Sequence, residues 1–134
     1  MIKDVREYFI TRVRAITNIP TVYTDGENVT VKGQQDFPFI RYTFMPREGR
    51  IQDLPATRVS AAGLIRLDVY YSRHGDNINA AYDMADAIVA NFAPLLTDVA
   101  GDQITIDLCW SEQLRHEPSA VNIPVYIRWN TFTA

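Results

Sequence analysis

The 134-residue sequence predicts an α+β fold: a mostly antiparallel (mixed) sheet of four to six strands, with two helices packed on one face. Three observations lead there. Two segments keep helical apolar spacing, and several others alternate with the period of a strand. The order helix, short hairpin, strand, strand, helix, strand, strand leaves too few helices to cross over between every pair of strands.

Residues 2–17 read as the first helix. Ile2, Val5, Phe9, Val13 and Ile16 recur at three- and four-residue steps, charged groups fill most of the other positions, and Asn18 and Pro20 supply stop signals. Thr21–Val31 reads as a hairpin turning at Asp25-Gly26, a dipeptide that tolerates tight turns. Phe37–Met45 is a clearer strand. Its Pro38 lacks a ladder donor and belongs at the strand's start or on an edge.

From Pro46 to Gly63 no period is sustained, so this stretch reads as a long loop of the kind that binds something. Leu64–Tyr71 is the strongest strand. Ile65, Leu67, Val69 and Tyr71 share one face, while Leu64, Arg66, Asp68 and Tyr70 mix charge with bulk on the other. A polar turn, 72–76, precedes the second helix, residues 78–93, and Asp76 or Asn77 can cap it. Small Ala80, Ala81, Ala85 and Ala87 let that helix lie close to a sheet, and Pro94 closes it. An irregular stretch follows around 98–102; Ile104–Trp110 then alternates cleanly, and 111–120 is a second polar loop. The last strand is 121–131, where Pro124 suggests an edge or an early break. No repeat or linker divides residues 1–134, which read as one domain.

Composition narrows the function. The chain is 47% hydrophobic and 22% charged, typical of globular sequences. A net charge of −3 with dispersed basic residues argues against a specific nucleic-acid surface. No run has the length of a signal peptide's core or a membrane span, so no membrane role is expected. Cys109 is the single cysteine, which rules out an internal disulfide; in its apolar run it reads as a small buried thiol.

The candidate chemistry is thin. His74 and Asp76 are spaced to hold an imidazole, but a third partner is not identifiable, and a polar surface turn explains them better. His116-Glu117 offers two adjacent donors with no further ligand at metal spacing. Asp83 and Asp86 read as a solvated helical face, and no phosphate loop or nucleophile elbow occurs. The expectation is therefore a protein with no cofactor, no metal and no enzymatic activity. What remains is surface bulk: Tyr42, Tyr70, Tyr126 and Arg128 lie on strand faces that two helices need not cover, and Tyr and Arg are enriched at interface hot spots.

The opening Ile2-Lys-Asp-Val-Arg-Glu-Tyr-Phe, the strand Phe39–Phe44 and above all the strand-then-helix run 62–92 resemble small tail-terminator and tail-completion proteins of long-tailed, siphovirus-like bacteriophages. That resemblance implies a structural virion protein with two helices on a sheet. It would assemble in the host cytoplasm as a homo-oligomeric, hexameric ring, cap the tail tube, stop its polymerisation and meet the head-tail connector, with DNA passing through. A head-side neck or head-completion protein, or a tube-related subunit, is the alternative within the same class. A small ligand-binding or enzymatic α+β domain using His74 or His116 is the alternative outside it. The residues expected at interfaces are Arg47, Arg50, Ile51, Leu54 and Arg58 in the long loop, Tyr70 and Arg73 on and after the strongest strand, and Arg115 and His116 in the second loop.

Overall fold

A computed structural model describes residues 2–25, 37–47, 59–73, 77–92, 95–99 and 102–133. Helix α1 (Ile2–Arg14) buries Val5, Phe9 and Val13 of the stripe its spacing predicts, and Ile10 beside them. Asp4 in its first turn and Arg12 and Arg14 in its last oppose the helix dipole. The chain leaves the helix through Asn18, which takes a left-handed φ of 60°, a conformation asparagine tolerates better than most residues.

Seven strands follow: β1 (Thr21–Tyr23), β2 (Phe39–Arg47), β3 (Val59–Ser72), β4 (Leu95–Val99), β5 (Asp102–Ser111), β6 (Arg115–His116) and β7 (Ala120–Thr133), with helix α2 (Asn77–Asn91) between β3 and β4. They form one mixed sheet in the order β1-β2-β3-β7-β5-β4, six strands across, and β6 pairs with β7 beyond the end of β5. Among the described residues only the β1–β2 pairing is parallel. The predicted fold class is therefore the observed one.

Both helices lie on the same face. Their buried residues form one cluster with Ile40, Tyr42, Ile65, Leu67, Val69 and the odd-numbered residues of β7 from Val121 to Trp129. Ala81 and Ala85 of α2 are fully covered, as expected of small residues where a helix backbone approaches a sheet. Between the helices, Phe9 meets Phe92 and Trp129 at centroid distances of 6.1 and 6.4 Å, and Arg12 lies 4.8 Å over the Phe92 ring while donating to the Asn91 carbonyl at 2.6 Å. That last contact closes the end of α2 against the flank of α1.

Several expectations need correction. The short strand at 21–23 pairs in parallel with β2, and the other arm of the expected hairpin lies outside the described residues. Asp25, expected at a turn tip, accepts from Arg6 Nη2 and Nε at 2.6 and 3.1 Å and from the Phe44 backbone N–H at 3.3 Å, tying the chain after β1 to α1 and β2. Tyr42 is buried under α1, where its hydroxyl donates to the Arg6 carbonyl at 3.2 Å. The long loop is shorter than its aperiodic sequence suggested, because β2 continues to Arg47 and β3 begins at Val59. Val59-Ser-Ala-Ala-Gly63 has little strand preference of its own, yet it pairs with the last residues of β7.

The irregular stretch before residue 102 contains β4, which pairs with β5 from Val99↔Asp102 onward. The clean alternation expected over 104–110 is broken by a bulge between Ile106 and Leu108. Ile104 and Ile106 face the helices, but the extra residue turns Leu108 outward, 44% exposed, and Cys109 inward against the core. Pro124 sits inside a central strand. Its carbonyl accepts from Glu112 N at 2.8 Å, so its nitrogen points to the same side, where β5 pairing has ended at Val125 and β6 pairing starts only at Asn122. Pro124 thus stands opposite Glu112 at the end of the β5 ladder, where it accepts one bond and cannot donate the return one.

Candidate functional site: the helix-free face of the sheet

The register that sends one set of side chains under the helices sends the other set to a face that carries no helix among the described residues. Across it run Thr43, Arg66, Tyr126 and Trp110 in one row, then Met45, Leu64, Arg128 and Leu108 in the next. Trp110 and Tyr126 stack at 5.3 Å with 20° between their planes, and the Arg66 guanidinium lies 5.8 Å from the Tyr126 centroid. Trp110 Nε1 donates to Glu112 at 3.1 Å, fixing the indole in the stack.

Charge on this face is organised around Asp68, which is nearly buried. Arg66 Nε donates to it at 2.9 Å and Asn122 Nδ2 at 3.4 Å. Arg66 is held charged by that hydrogen bond and by the Asp68 charge, against the desolvation of its partly covered site. Toward the far end, Asn130 Nδ2 donates to both Asp107 oxygens at 3.0 and 2.9 Å, while Arg128 stays 3.7 Å from Asp107 and more than half exposed. A depression of about 620 Å³ opens there, lined by Met45, Arg47, Leu64, Trp110, Arg128 and Asn130 among others. At the near end Phe39 stacks on Tyr70 at 4.8 Å and on Phe37 at 5.5 Å, so that corner is a closed aromatic cluster.

The residues expected at interfaces are scattered across the molecule. Arg47 is exposed on the rim of the depression. Tyr70 is 5% exposed and serves the aromatic cluster. Arg73 donates to the carbonyls of Glu117 and Pro118 at 3.2 and 3.5 Å, pinning the loop before β7. Arg115 and His116 are exposed on β6. Arg50, Ile51, Leu54 and Arg58 lie outside the described residues, as do His74 and Asp76. Asp83 and Asp86 are exposed on α2, and among the described residues no group of three or more His, Cys, Asp or Glu gathers as a metal-ligand set. The interface residues expected from the sequence did not include Trp110, Arg66, Leu64, Met45 or Leu108, although Leu64 and Arg66 were read onto the mixed outer face of their strand. Leu64 and Arg66 carried a signal, since they share strand parity with charged and aromatic neighbours facing away from the apolar stripe. Leu108 and Trp110 carried none, because the bulge sets their direction.

Burial has a chemical consequence for the titrating groups. The Cys109 thiol is pushed up to about 12 by desolvation, so it is a packing residue with little thiolate to react. Burial also raises the phenol of Tyr42, that of Tyr70 with help from Asp68 and Glu117, and that of Tyr71 with help from Asp83. In each case the folded chain keeps a proton that the unfolded chain gives up. Stability from this source is complete below the ordinary thiol value of 9.0 and drains away as pH climbs above it. The melting temperature should accordingly fall between about pH 9 and 11, and Cys109 should alkylate far more slowly in the native protein than in urea. A melting temperature flat across that range would contradict the assignment.

No curated protein matches the sequence closely enough to count as a relative. One solved structure superposes with a TM-score of 0.75 over 98% of this chain and 95% of that one, at 17% sequence identity, which shows a shared fold. The profile of the phage tail terminator protein family matches residues 4–129, so the span that builds α1, the sheet and the helix-free face is the span the family defines. The chain thus belongs to the phage tail terminator protein family and is a structural component of a phage tail.

Proposed function

We propose that the protein acts as a ring of identical subunits that caps the tail tube, ends its polymerisation and joins it to the head connector. The observation that carries this reading is the sheet face without helices, where Trp110, Tyr126, Leu64 and Leu108 stand beside Arg66 and Arg128. A folded monomer gains little from holding such groups on an open face, whereas an interface uses aromatic and arginine anchors of this kind. Family membership supplies the context, a phage tail in which a neighbouring subunit is at hand. Obligate ring contacts commonly bury upwards of about 2,000 Å², more than the depression alone provides. The segment 46–63, with Arg47, Arg50, Ile51, Leu54 and Arg58, and the β6 loop, with Arg115 and His116, would add to that area and meet tube or connector. Assembly would take place in the host cytoplasm and the ring would end in the virion, with DNA passing through it.

The test is assembly. Native mass spectrometry should find a homo-oligomer, hexameric in this reading, well above the 15.3 kDa monomer, and electron microscopy should find it at the ends of purified tail tubes. A monomer at all concentrations, with tubes present, would sink the proposal. Binding to portal complexes in preference to tubes would replace it with a head-side completion role.

A further inference from the structure

Two surfaces of this chain complement one another and lie on opposite sides of the sheet. The first is the outer ridge of α2. Ala81, Ala85 and Ile88 pack on the sheet, which turns Tyr82, Asp83 and Asp86 to solvent. The helix Asn77–Asn91 has two aspartates and no basic residue, so the charge its own side chains carry is negative. The second surface is the depression on the helix-free face, with apolar Leu64 and Trp110 in it and Arg47 and Arg128 beside them.

Apolar exposure singles out the same two places. Among the described residues the large hydrophobic side chains left exposed are Tyr82, at 46%, and Leu108, at 44%. Tyr82 stands on the α2 ridge one turn from Asp86. Leu108 pairs with Arg128 across the β5–β7 ladder, at the edge of the depression. A projecting aromatic ring flanked by carboxylates on one side of the molecule thus has a counterpart on the other: a hollow flanked by guanidinium groups. Asp107 lines the same hollow, accepts from Asn130 and lies 3.7 Å from Arg128, so it offsets part of the positive charge there, but two guanidinium groups against one carboxylate leave the hollow net positive.

We propose that copies of this chain join head to tail, with the α2 ridge of one copy, Tyr82 foremost, seated in the depression on the helix-free face of the next. Asp83 and Asp86 then meet Arg47 and Arg128. The inference rests on the self-assembly reading above and names its two surfaces. Because the two surfaces lie on opposite sides of the sheet, one two-fold contact cannot bring both pairs together; the contact is heterologous, the type that generates rings when the rotation closes.

Charge exchange tests the pairing. In Arg47→Glu/Arg128→Glu both surfaces are acidic, and in Asp83→Arg/Asp86→Arg both are basic. Each variant alone should lose the oligomer and run as monomer in native mass spectrometry, with circular dichroism and melting temperature unchanged because all four positions are exposed. Mixed in equal amounts, they should recover the wild-type mass as an alternating assembly. Tyr82→Ser should separately weaken assembly at least tenfold. If wild type forms the oligomer and either charge variant or Tyr82→Ser assembles as well as it does, the surfaces are wrong while the ring stands. Failure of the mixture to recover, with both variants folded, overturns the pairing too. A wild-type chain that never assembles removes the ring reading, and this inference with it.

Discussion

Replacing Trp129 by alanine is expected to cost about 3–5 kcal/mol, the usual range for deleting a buried aromatic. The indole is fully covered, stacks on Phe44 at 5.5 Å with 5° between planes, and packs against Phe9 of α1 at 6.4 Å. It therefore touches strand β2 and helix α1 from the central strand β7, and no neighbour can collapse into its place without moving one of them. Against a total stability of about 5–15 kcal/mol for a domain, such a loss leaves a marginal protein. Trp129→Phe should cost much less. It keeps most of the packing and deletes Nε1, which is buried with no hydrogen-bond partner. Chemical denaturation of the two variants checks the order, and equal losses would show that packing is not what holds this residue.

Gly63→Val is expected to destabilise by about 1–3 kcal/mol or more, the cost of overpacking a filled site. A Cβ at Gly63 would lie 2.5 Å from the Met45 carbonyl oxygen, 2.9 Å from the Pro46 Cα and 2.9 Å from Trp129 Cζ2. Two of those atoms are backbone, so relief requires the end of β2 to slide relative to β3. Met45 and Arg47 lie there beside the depression, so the variant should also weaken assembly if the proposed contact is right. Ala62→Val, one residue earlier at an exposed position, provides the control and should stay within about 0.5 kcal/mol. Equal melting temperatures for the two valine variants would refute the close-approach account.

Which parts of the fold could be read in advance follows from the range of the forces involved. The stripes Val5-Phe9-Val13, Ile65-Leu67-Val69 and Val121 to Trp129 are local patterns, and each is buried as its period requires. Strand β4 was not legible, since Leu95-Leu-Thr-Asp-Val99 has no period of its own and becomes a strand through its pairing with β5. Val59–Gly63 likewise joins β3 because β7 extends far enough to pair with it.

The candidate site divides in the same way. That Arg66 and Tyr126 face away from the apolar stripes is fixed by strand parity, which residue order alone sets. Placing Trp110 over Tyr126, turning Leu108 out and Cys109 in, and gathering Arg47, Leu64 and Arg128 around one hollow all needed strands far apart in the chain to come together. The amino-acid order thus determined the α+β class, both helices, the core stripes and the family resemblance, because periodic burial and local propensity act over a few residues. Tertiary structure decided the strand order, the bulge at Asp107 and the composition of the open face, because hydrogen-bond register between distant segments is settled only when the whole sheet closes.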